Sequence, residues 1–62
     1  MEIVTMYRNS PKYGFKKGDS FTVKRTIMGE CVVIRNPNAI NLIWSEGKLR
    51  SYGNLSGEPV LG

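Results

Sequence analysis

Sixty-two residues admit one small domain, and a chain of this size buries only about 60% of the surface its unfolded form exposes. The single cysteine, Cys31, excludes an internal disulfide, and the lack of histidine leaves a poor ligand set for zinc, so no cofactor is expected. The formal charge of +4 is uneven: residues 8–25 carry Arg8, Lys12, Lys16, Lys17, Lys24 and Arg25 against Asp19 alone, a balance that points to an anionic partner.

Glycine and proline recur every few residues and alanine occurs once, which leaves no room for a long helix. A first strand is expected at 2–7. A long loop follows through Ser10-Pro11 and Gly14, carrying Lys12, Tyr13, Phe15, Lys16 and Lys17. Gly18-Asp19 then turns into a second strand. Period-two alternation from Ser20 to Lys24, followed by Met28-Gly29, predicts a hairpin with a two-residue loop. That loop would pair Val23 with Ile34, Arg25 with Val32 and Thr26 with Cys31. Phe21, Val23, Val32 and Ile34 would then face the core, and Cys31 the more polar side.

Asn36-Pro37-Asn38 breaks the chain. A second hairpin is expected from Ile40–Ser45 and Lys48–Tyr52, turning at Glu46-Gly47, with Ile40, Leu42, Trp44 and Leu49 inside. Gly53-Asn54 and Gly57 read as turns, and Pro59-Val60-Leu61 as a short edge strand. The class is therefore all-β: one domain over residues 1–62, an antiparallel five- or six-stranded barrel, since closure removes exposed edges. The stretch Phe15-Lys16-Lys17-Gly18-Asp19-Ser20-Phe21-Thr22-Val23 and the hairpin behind it resemble the SH3-like small barrels of short phage-encoded accessory proteins. The resemblance implies a fold and a phage origin more than an activity.

Catalytic patterns are not found. Without histidine the Ser-His and Cys-His arrangements are unavailable, and the five acids are separated in sequence. Gly47-Lys48 lacks the upstream glycine and following hydroxyl of a phosphate loop. Cys31 neighbours Glu30 and no cation, so nothing activates its thiol. The chain is expected not to be an enzyme.

Two surfaces remain. Ile43, Lys48, Arg50 and Tyr52 would share the outer side of the second hairpin, a mixture suited to protein contact. On this reading the protein modulates or inhibits a partner by occupying an acidic or apolar face of it. Given the phage resemblance, that partner is a host protein. The alternative is a single-stranded nucleic-acid site built from Tyr7, Arg8, Lys12, Tyr13, Phe15, Lys16, Lys17 and Lys24, where rings stack on bases and cations meet phosphates. Lys12-Tyr13-Gly14-Phe15 is similar to part of the cold-shock RNA-binding motif, without that motif's glycine between lysine and aromatic. Phe15 is equally suited to plugging the barrel end. The outer face, or an edge strand, is also suited to pairing two copies in a homodimer. No segment is long and apolar enough for a membrane span, and a lone cysteine suits the cytoplasm, the host's if the chain is phage-encoded.

Overall fold

A computed structural model describes residues 1–35 and 41–59. Five strands form one antiparallel sheet: β1 (Glu2–Met6), β2 (Ser20–Arg25), β3 (Cys31–Ile34), β4 (Leu42–Trp44) and β5 (Gly53–Gly57). A short helix, α1 (Glu46–Arg50), stands between β4 and β5. The strand order is β4-β3-β2-β1-β5. Its outermost strands, β4 and β5, are not paired with each other, and α1 packs against β5. The fold is all-β as expected, but among the described residues strand pairing does not close it into a barrel.

Side chains on the strands alternate between two faces. The inward face carries Val4 and Met6 from β1, Val23 from β2, Cys31 and Val33 from β3 and Trp44 from β4, all buried. Phe15 from the long loop and Leu49 from α1 complete this core, with Tyr13, Phe21, Leu42, Tyr52 and Leu55 packed at its margin. Leu49 is fully buried, so the helix covers a face of the sheet that would otherwise be wet.

The first hairpin differs from expectation by one residue. Thr22 pairs with Ile34, Val23 with Val33, Lys24 with Val32 and Arg25 with Cys31. A two-residue turn with left-handed backbone at both positions would have required positive φ at Met28, and among the described residues none other than glycine takes one. In this turn Gly29 alone does, at φ 83°. The chain instead spends one more residue on the turn: the Gly29 N–H donates to the Thr26 carbonyl at 2.9 Å, and the Thr26 N–H to the Glu30 carbonyl at 2.9 Å. This is a three-residue loop that ends in a left-handed glycine. The extra residue flips β3 over. Cys31 and Val33 go inside, while Val32 and Ile34 turn outward and are half-buried.

The expected second hairpin is absent; α1 takes its place. Ser45, with extended backbone (φ −64°, ψ 156°), caps the helix by accepting the Lys48 N–H on its hydroxyl at 3.2 Å. Glu46 lies in the first turn, and Lys48 and Arg50 in the last, matching the helix dipole. Arg50 also reaches back one turn to Glu46 at 2.9 Å. Gly53-Asn54 and Gly57, expected as turns, instead belong to β5, which pairs with all of β1 from Met6↔Gly53 to Glu2↔Gly57. Ile40, the Asn36-Pro37-Asn38 break and Val60-Leu61 lie outside the described residues.

Candidate functional site

Two clusters flank α1. The first is ionic. Glu2 lies on the inward face of β1 and is only 4% exposed. Its carboxylate accepts two hydrogen bonds from Arg25, from Nε and Nη2, each at 2.8 Å. Arg25 Nη2 also reaches Glu46 at 2.7 Å, and Nη1 donates to the Gly29 carbonyl at 3.4 Å. One guanidinium thus ties β1, β2, the hairpin turn and α1. The Glu2 hydrogen bonds hold its pKa above the ordinary arginine range. Hydrogen bonds from Arg25 and then Arg50 hold the Glu46 carboxyl below the usual carboxylate range. Burial pushes the thiol of the neighbouring Cys31 up.

The second cluster is aromatic. Tyr13 stands edge-on to Trp44, with centroids 4.8 Å apart, and edge-on to Tyr52 at 5.8 Å. Trp44 and Tyr52 pack at 4.9 Å with their planes tilted by 34°. Phe15 lies behind them, 5.9 Å from Trp44 and 5.4 Å from Phe21. Cations cover the outer ring faces. Arg8 sits 4.5 Å from the Tyr52 centroid, Lys48 4.8 Å from Trp44 and 5.5 Å from Tyr13, and Lys12 5.4 Å from Tyr13.

The long loop is anchored to α1 by hydrogen bonds. The Tyr7 hydroxyl donates to the Arg50 carbonyl at 2.6 Å, and Arg8 Nη1 to the Ser51 carbonyl at 3.2 Å. The loop base is fixed by Asp19, whose carboxylate accepts the Lys16 N–H at 3.0 Å, and by Asn9, which accepts the Lys17 N–H at 2.8 Å.

The structure therefore regroups the residues chosen from sequence. Lys48 and Tyr52, assigned to one surface, join Tyr7, Arg8, Lys12 and Tyr13, assigned to the other. Arg50 is exposed nearby on α1 but is paired with Glu46. Lys16 and Lys17 are exposed on the same loop. Ile43 and Lys24 do not join. Both pair with Val32, on the opposite face of the sheet from Trp44. Ile43 is 57% exposed there.

Two further placements correct the reading by hairpins. Tyr52 is half-buried against Trp44 and not outside the packed region, because α1 folds it back over the sheet. Phe15 is 2% exposed, so its ring is a core plug and not a stacking platform. Trp44, expected only in the core, also carries the cation of Lys48 over its ring. Arg35, not singled out from sequence, places its guanidinium 5.6 Å from the Phe15 centroid.

Among the described residues, Arg8, Lys12, Lys16, Lys17, Lys24, Arg35 and Lys48 form no ion pair. No three His, Cys, Asp or Glu side chains among them stand close enough to share a metal ion, and no helix is long and apolar enough to cross a membrane. No protein-family model, curated protein or solved structure matches the chain.

Proposed function

We propose that the chain is a non-enzymatic binding protein that modulates a partner protein by occupying an acidic face of it. The observation that carries this reading is the row of cations, Arg8, Lys12 and Lys48, laid over Tyr13, Trp44 and Tyr52 without carboxylate partners among the described residues. Aromatic rings and arginine supply contact area at low entropic cost and recur at interface hot spots. The cations, held by the rings, are preorganised for carboxylates. On the resemblance to phage accessory proteins, the partner is a host protein and the compartment the host cytoplasm.

Binding of single-stranded nucleic acid is the second reading, favoured by the positive loop itself. It fits the ring geometry less well: Tyr13, Trp44 and Tyr52 pack on one another and beneath cations, whereas bases need open ring faces. Affinity capture from bacterial lysate, with and without nuclease, separates the two. The protein reading predicts a retained protein that survives nuclease and is lost with Arg8→Glu/Lys48→Glu. Nuclease-sensitive retention alone would replace it with the nucleic-acid reading.

A further inference from the structure

Within the long loop, Asn9, Pro11, Gly14, Phe15 and Lys16 line a pocket of about 380 Å³. Its shape follows from the loop's own hydrogen bonds. Ser10 and Phe15 exchange backbone bonds at 2.9 and 3.0 Å, and Tyr13 and Gly14 donate back to Ser10 and Pro11 at 3.1 and 3.2 Å. The loop is thereby pinched into a tight reversal. Gly14 completes it with φ +76°, a backbone that side-chain-bearing residues rarely adopt. A methyl group at Gly14 would stand in ordinary contact with Arg35 Nη2, at 3.5 Å, so the guanidinium lies beside the rim.

The chemistry of the walls is specific. Pro11 is the exposed apolar side chain of the lining, and Phe15, whose ring is buried, closes the hollow from the core side. Lys16 and Arg35 supply positive charge beside it, and neither has an acidic partner among the described residues. The nearest acid in sequence, Asp19, is committed to the Lys16 backbone N–H. Asn9 is the one neutral polar side chain of the lining, and its oxygen already accepts the Lys17 N–H. A nucleobase would lose the hydrogen bonds of its edges in such a hollow, whereas an apolar side chain has none to lose.

Resting on the protein-binding reading, we infer that this pocket seats one apolar side chain of an acidic segment of the partner protein, with Lys16 and Arg35 meeting the flanking carboxylates. Charge complementarity selects the segment, and the hollow sets its register.

Fluorescence anisotropy with a labelled, capped pentapeptide, one phenylalanine between two pairs of acidic residues, tests the inference on the full chain. Weak binding, of about 10–100 μM for so short and flexible a ligand, is expected. Replacing the phenylalanine by glycine should weaken it at least about tenfold. Lys16→Glu should abolish it, and Arg8→Glu/Lys48→Glu should change it much less. Gly14→Asn, which tolerates the left-handed backbone and narrows the pocket, should also weaken it. Equal binding of the glycine peptide, indifference to Lys16→Glu in a chain whose amide spectrum shows it folded, or tighter binding of oligothymidylate would overturn the pocket. The two readings fail separately. A partner lost with Arg8→Glu/Lys48→Glu, beside a peptide that does not bind, ends the pocket alone. A peptide bound through Lys16, with no protein captured, supports the pocket and ends the reading of the aromatic face.

Discussion

The two clusters on either side of α1 use the same residue types in opposite ways. Around Arg25 every charge is answered: Glu2 and Glu46 take its guanidinium, and Arg50 takes the other Glu46 oxygen. Around Trp44 the cations lie on rings and have no acidic partner among the described residues. The helix is the hinge between them, since Glu46 turns to the first cluster, Lys48 to the second and Leu49 to the core. Buried charge thus holds the fold together, and on the proposed function the aromatic charge meets the partner. Stability and binding should respond separately to substitution in the two places, with Trp44 the exception because it serves both.

That exception gives the largest effect. Trp44 is 7% exposed and touches Tyr13, Phe15 and Tyr52. Trp44→Ala should cost about 3–5 kcal/mol, comparable to the whole stability of so small a domain. Loss of the cooperative urea transition and of near-ultraviolet circular dichroism is the expected result. A folded, cooperative variant would show that the aromatic cluster is surface decoration.

Next comes the ionic cluster. Glu2→Gln leaves Arg25 with one carboxylate and should destabilise by about 3 kcal/mol, because a largely buried charge loses its main partner. Urea denaturation measures this. Binding by the remaining folded protein should be unchanged, and a parallel loss of affinity would break the division between the clusters.

The pH response should be smaller and two-sided. Glu46 has its folded pKa depressed by Arg25 and Arg50, so its contribution is complete above the ordinary glutamate value of about 4.3 and fades as pH falls below it. Cys31 has its folded pKa raised by burial. Its contribution is complete below the ordinary thiol value of about 8.5 and is lost as pH rises past it. Melting temperature against pH should therefore fall at both extremes, and Cys31→Ser should flatten only the alkaline limb. The smallest effect on stability is expected from Lys48→Met, at about 1 kcal/mol or less, since the lost cation–ring contacts are exposed. The same change should visibly weaken partner binding.

Much of the sheet is legible in the sequence, and the departures have local causes. The alternation of Ser20–Lys24 and the spacing to Cys31 are enough for β2 and β3. The register turns on whether Met28 accepts a left-handed backbone, a constraint that Gly29 alone meets. The helix at Glu46–Arg50 was signalled by Ser45 as a cap and by the Glu46–Arg50 spacing, but Glu46-Gly47 is also a good hairpin turn. Both bury Leu49; what separates them is Tyr52, which the helix folds onto Trp44, and that is a tertiary contact. Strand β5 has little intrinsic strand preference in Gly-Asn-Leu-Ser-Gly; it forms because β1 offers an unpaired edge. Most of the site's basic and aromatic residues are visible in the sequence, Trp44 and Arg35 excepted. Their union into one surface is not, because it depends on α1 folding Lys48 and Tyr52 toward the loop.

Amide chemical-shift mapping of the labelled chain, titrated with the protein it captures, tests most directly whether the outward cations are the binding face. The account predicts perturbations confined to residues 7–19, Arg35 and 44–52, with Lys24, Val32 and Ile43 on the opposite face of the sheet unmoved. Shifts centred on Ile43, Val32 and Ile3 would contradict it and assign binding to the other side of the sheet.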